Sequence, residues 1–189
     1  MSLYLYLTHA DWADAWISGG VVPFYVASRY RREDRAGIYT PDENLIDSST
    51  FDVKRINPYI KFGDGVMGVV FEGNNFGGEV IDGTVTRYHE DGLVICLCEK
   101  KSKFIARKLG KKACVRIDDV ATLKKLIDDY TGVKGIDGRC SYTASHHRNH
   151  FLKSTYDEWQ QEYRLFWHDV QDIKIQLPPN IAKLEFILP

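Results

Sequence analysis

Residues 153–167 read KSTYDEWQQEYRLFW, and the reading of the last six, Glu162–Trp167, decides the fold class. At the two-residue period of a strand, Tyr163, Leu165 and Trp167 share one face, while Glu162, Arg164 and Phe166 share the other. The first face is core. The second sets a carboxylate beside a guanidinium, whose charge keeps Glu162 ionised. That pair is either an ion pair on a solvated sheet face or a carboxylate fixed at the mouth of a cleft.

The same period recurs along the chain, in LYLYLT (3–8), VVPFYVA (21–27), ACVRI (113–117), RCSYT (139–143), DIKIQL (172–177) and AKLEFIL (182–188). Residues 51–99 are β-rich, with glycine turns at Gly63-Asp64-Gly65 and Gly77-Gly78, and Asp91-Gly92 predicts a two-residue hairpin between TVTRYHE and LVICLC. Helices are predicted where the period lengthens. A short one opens at Thr8 with Asp11 three residues on, carries Trp12 and Trp16, and stops at Gly19-Gly20. Others cover Ser102–Leu109, stopped by Gly110, Asp118–Tyr130, with Asp118 or Asp119 as cap, and a segment around His147–Trp159. Residues 28–49 read as a charged loop. The expectation is one α+β domain over residues 1–189, mostly antiparallel sheet with a few short helices.

Composition narrows the classes. A hydrophobic fraction of 44% and an aromatic fraction of 13% exclude a disordered chain, and a net charge of −1 gives no global attraction to nucleic acid or an acidic membrane. No apolar run approaches the ~20 residues of a membrane span, and no signal segment opens the chain. The four cysteines, Cys96, Cys98, Cys114 and Cys140, are expected to be reduced in a cytoplasmic protein. Cys96-x-Cys98 is too tight for a zinc knuckle.

Chemistry-bearing residues fall in four groups. Glu162 with Arg164 is the first. His9 is the second, placed where the first strand turns into a helix, with Tyr4, Tyr6 and Thr8 leading up to it. The third is Ser28-Arg29-Tyr30-Arg31-Arg32 with Arg35, whose guanidiniums suit phosphates and which Glu33 and Asp34 partly neutralise. The fourth is His146, His147, His150 and Lys153; His146 and His150 lie four apart, but no glutamate falls between them as a zincin needs, so no metal is expected. A basic run of seven cations from Lys100 to Lys112 is either a solvated helix face or a nucleic-acid contact.

The spacing Lys153-x5-Trp159-x2-Glu162-x-Arg164 resembles the C-terminal hallmark of a widespread bacterial family of unknown function. More distantly, the chain is similar to the ADP-ribosyltransferase fold, a split sheet that presents a histidine or arginine from its first strand, a tyrosine or serine element from the second and a late glutamate. On that resemblance His9 matches the first position, Tyr25 or Ser28 the second and Glu162 the third, with Gln160-Gln161-Glu162 in Q-x-E form. A serine-threonine-serine triplet is not found at a matching position. The resemblance implies a nucleotide-handling enzyme with NAD as substrate, His9, Tyr25 and Glu162 catalytic, and Ser28, Arg29, Tyr30 and Arg164 holding the cofactor. The alternatives are a non-enzymatic interaction module of a bacterial or phage system and a nucleic-acid binder using Lys100 to Lys112.

Overall fold

The computed structural model describes residues 1–31, 48–51, 66–72, 82–87, 91–144 and 149–189, with backbone alone for residue 31 and the strands between 48 and 87. The turns expected at Gly63-Asp64-Gly65 and Gly77-Gly78, the residues Arg32, Glu33, Asp34 and Arg35, and the pair His146 and His147 lie outside the described residues.

Six strands form the main sheet: β1 (Leu3–Leu7), β6 (Gly92–Cys98), β7 (Ala113–Ile117), β8 (Ile136–Arg139), β11 (Glu162–His168) and β13 (Lys183–Ile187). Their order is β13-β7-β1-β6-β11-β8, and every neighbouring pair is antiparallel. Beside it, β2 (Gly20–Phe24) pairs antiparallel with β12 (Ile173–Leu177), and β9 (Ser141–Thr143) pairs parallel with β10 (Leu152–Ser154). A further three-stranded sheet has the order β3 (Ser48–Phe51), β5 (Asp82–Arg87), β4 (Val66–Glu72). Three α-helices, α1 (Trp12–Ile17), α2 (Lys103–Lys108) and α3 (Val120–Thr131), and two 3-10 segments, Ala27–Arg31 and Thr155–Gln160, complete the described elements. The class is α+β, as expected. Among the described residues, no helix is long and apolar enough to cross a membrane.

The alternation of side chains gives the main sheet two different faces. One carries Leu3, Leu93, Leu97, Val115, Ile117, Leu165 and Trp167, packed with Trp16 of α1, Leu123 and Ile127 of α3, and Val22 and Ile175 of the β2–β12 pair. This is the aliphatic core. The other face carries Tyr6, Cys98 and Cys114, covered by Ile105 and Ala106 of α2. Helix α3 forms because Asp119 caps it, accepting from Thr122 N–H at 3.0 Å, and it stops at Gly132, where φ is +72°.

Several local expectations give way to tertiary contacts. Asp91-Gly92 does not join a hairpin: β5 pairs with β3 and β4, whereas β6 pairs with β1 and β11. Asp91 instead accepts from the Ser28 N–H and hydroxyl, at 3.0 and 2.6 Å, because the apolar side chains of β6 belong in the core of a different sheet. Thr8 does not cap α1; its hydroxyl accepts from Lys111 Nζ, and Asp11 occupies the cap position. Trp12 and Trp16 part company, since Trp16 is buried edge-on to Phe24 while Trp12 is half exposed against His9. The helix expected around His147–Trp159 is replaced by β10 and a short 3-10 segment, Thr155–Gln160. RCSYT is two strands, β8 and β9, broken at Cys140.

Strand β1 pairs with β7 over five positions but with β6 only at Tyr4 and Cys98. At the far end of β6 its edge is taken by the chain leaving β2: Val94 N–H donates to Tyr25 O at 3.2 Å and Val26 bridges Leu93. The two halves of the sheet therefore diverge between β1 and β6.

Trp167 anchors the aliphatic face, and Asp128 accepts from both its indole Nε1–H (2.6 Å) and Gly135 N–H (2.9 Å). A Cβ on Gly135 would lie 2.5 Å from the indole ring. Asp128→Ala, which strands two donors, is expected to lower stability by about 2 kcal/mol, and Gly135→Ala by about 1–3 kcal/mol through overpacking. Urea midpoints at unchanged slope check both.

Candidate functional site

The chain enters β11 through Gln161, whose φ of +46° is the left-handed conformation that turns the 3-10 segment into the strand. That turn drives Glu162 inward. Its Oε2 accepts from Lys153 Nζ at 2.7 Å and Arg164 Nη2 at 3.1 Å, and its backbone N–H donates to the Tyr142 hydroxyl. Lys153 Nζ also donates to Gln160 Oε1 at 2.8 Å, and Gln160 in turn donates to Asp157. Arg164 Nη1 donates to the carbonyl of His150, whose ring stacks on Phe166 at 4.0 Å. Two cations thus face two carboxylates, Glu162 and Asp157, in a clasp that ties β10, the 3-10 segment and β11 together.

The face of β11 that carries Glu162 is closed: Glu162 is 6% exposed, Arg164 3% and Phe166 3%. Neither a solvated ion pair nor a carboxylate at a cleft mouth describes Glu162. Burial pushes its carboxyl up, but Arg164 and Lys153 outweigh that and hold it down at about 2. Tyr142 is pushed up to about 12, chiefly by burial. Two of the lone pairs that a substrate would need are already spent on Lys153 and Arg164.

The remaining sequence candidates lie elsewhere. In the sheet register Glu162 is level with Cys98, and Cys98 with Tyr4, so His9 lies five residues on, two past the end of β1 at Leu7. At ~3.3 Å per residue the strand from Tyr4 to Leu7 alone carries the chain roughly 10 Å away. Tyr25 sits beside Val94, which pairs with Phe166, four residues from Glu162. Tyr25 is in company with Arg29, whose guanidinium lies 4.0 Å above its ring and pairs with Asp172 at 2.6 Å. The Ser28 hydroxyl donates to Asp91, and Tyr30 is partly exposed on the same turn. The structure therefore brings together Glu162 with Arg164, and Tyr25 with Ser28 and Arg29, and keeps the two groups apart. His150 is buried, and among the described residues no group of three or more His, Cys, Asp or Glu is placed to hold a metal ion.

A cationic and aromatic surface on α2 joins residues that the sequence did not connect. Phe104 and Lys108, four apart, share a helical face and meet the same partner, Trp159. Lys108 Nζ lies 3.8 Å above the indole, and Phe104 packs edge-on at 6.4 Å. Phe104 is 64% exposed, Tyr156 of the 3-10 segment is 82% exposed, and Lys103 lies over Phe186 at 5.9 Å. Trp159 is held there by the clasp, since Asp157 and Gln160 flank it. The Lys100–Lys112 run carried the signal for the cations; the signal for the platform was Trp159, hidden inside the motif.

A separate cavity of about 420 Å³ lies at the start of α3, lined by Asp118, Lys124, Asp128, Asp137 and Tyr163 among others, and none of His9, Tyr25 or Glu162 reaches it.

The clasp makes a pH prediction. The folded carboxyl of Glu162 lies near 2 against an ordinary 4.5, so its stabilisation is complete above about pH 4.5 and is lost as pH falls toward 2. The shift corresponds to about 3 kcal/mol. Glu162→Gln leaves two buried cations short of a counter-charge and is expected to cost about 3 kcal/mol or more at neutral pH. The variant's stability is also expected to fall less steeply between pH 5 and pH 2 than the parent's, as read from urea midpoints across that range.

No family model, curated protein or solved structure matches the chain.

Proposed function

We propose that this protein is a binding module for single-stranded nucleic acid, using the surface formed by α2 and the 3-10 segment. The observation that carries this is the Trp159 ring, set against Phe104 and Lys108 in the middle of the basic run. An exposed phenylalanine and tyrosine contribute little to folding, and bases stack on such rings without regard to sequence. Around them Lys100, Lys103, Arg107 and Lys108 make no ion pair among the described residues, whereas Lys101 is neutralised by Glu185 at 2.7 Å. The net charge of −1 means that attraction is local to this patch rather than a property of the whole chain.

The NAD-handling reading has a different observation in its favour, the divergence of β1 from β6 with Tyr25 and Arg29 beside it. A nicotinamide ring stacked on Tyr25 with its pyrophosphate near Arg29 is the arrangement it implies. Glu162 is enclosed elsewhere, so a bound NAD would lack the carboxylate that stabilises a developing ribosyl cation. For that reason the binding class is preferred over the transferase.

Fluorescence anisotropy with a labelled single-stranded oligonucleotide tests the proposal. Four cations predict a slope of log K against log salt of roughly −3. Phe104→Ala and Trp159→Ala are each expected to weaken binding by about five- to a hundredfold, the equivalent of ~1–3 kcal/mol per stacked base. Thermal melting of the same variants separates a lost platform from a lost fold. A parent that shows no salt-dependent binding, yet binds NAD in a calorimetric titration that Tyr25→Ala abolishes, would move the function to the β1–β6 divergence.

A further inference from the structure

We infer that Lys108 is an exchangeable lid over a nucleotide subsite centred on Trp159, a subsite that selects a phosphorylated nucleotide over a bare nucleoside. The inference rests on the binding reading above.

The ammonium of Lys108 occupies the one position, 3.8 Å above the indole face, that a stacked base would need. Its contact is with a ring and not a carboxylate, and a solvent-exposed cation–ring contact is weak enough to exchange for a phosphate. The indole Nε1–H is enclosed and, among the described residues, has no hydrogen-bond partner. Such a donor is costly to leave unmade, so the closed arrangement leaves the ring edge unsatisfied. Lys103 presents a contrast, lying 5.9 Å from Phe186 on the same helix, too far to cover that ring closely. α2 ends in Arg107 and Lys108, cations available to a phosphate, whereas Glu158, next to Trp159 in sequence, is exposed and negative.

These features define an exchange. The base takes the place of the ammonium on the ring, and the ammonium moves to the phosphate that the base brings with it. A nucleoside displaces the same ammonium without supplying a counter-charge, and so binds less well.

Trp159 emission, isolated by subtracting the Trp159→Phe protein, reads the subsite during titration with adenosine and with adenosine 5′-monophosphate. The parent is expected to favour the monophosphate by about tenfold. In Lys108→Ala that preference is expected to collapse toward unity, with the monophosphate weakened about five- to tenfold and adenosine bound at least as tightly as before. Lys108→Arg is expected to retain the preference. If Lys108→Ala weakens adenosine and the monophosphate alike, Lys108 props Trp159 and is no lid. If it changes neither, or if the parent binds the oligonucleotide but neither small probe, the subsite is not at Trp159. A parent that binds neither the oligonucleotide nor either probe overturns the binding reading itself.

Discussion

The position of every element between Cys140 and Trp167 depends on one oxygen, Glu162 Oε2, which accepts from Lys153 at 2.7 Å and from Arg164 at 3.1 Å. A buried pair of this kind adds little net stability compared with an apolar packing of equal volume. It does penalise misplacement. A slip of β11 by one residue would turn Glu162 and Arg164 to the aliphatic face and leave Lys153 enclosed with Asp157 alone. The clasp therefore sets register, and through Gln160 and Asp157 it sets where Trp159 stands.

The two faces of the main sheet divide the labour. The aliphatic face, built from Leu3, Leu97, Val115, Leu165 and Trp167, supplies the apolar burial that holds the fold. The other face is lined by Tyr6, Cys98 and Cys114 and by the clasp, and among the described residues the short helix α2 and the segment leading into β11 lie over it. Burial on that side raises the Cys114 thiol to about 12 and pushes the Cys98 thiol higher still, which keeps both neutral and unreactive. The chemistry available to a ligand lies at the outer margin of this thinner layer, where cations and rings are left in reach of solvent.

The divergence of β1 from β6 has the same origin as the clasp, namely a strand edge claimed by a partner distant in sequence. Tyr25 and Val26 take the edge of β6 near Val94, so β1 pairs fully with β7 and pairs with β6 only at Cys98. Ser28, Arg29, Asp91 and Asp172 then close around that junction through their own hydrogen bonds. These polar side chains are spent on holding the junction, as Glu162 is spent on holding the clasp.

Several strands and helices were legible in the sequence from their period: LYLYLT, ACVRI, EYRLFW and the capped helix from Asp119 all stand as read, because alternation and capping are local. So was the pairing of Glu162 with Arg164, two residues apart on one strand face. Three things were decided only by tertiary structure. Asp91-Gly92 is a hairpin signal by composition, yet the apolar side chains of β6 found their core between β1 and β11, and long-range burial outweighed a local turn preference. Whether Glu162 met solvent or a buried lysine could not be read from its own strand, since Lys153 arrives on a different element, nine residues back. Phe104, Lys108 and Trp159 lie more than fifty residues apart in two segments, and only the packing of α2 against the clasp makes them one surface.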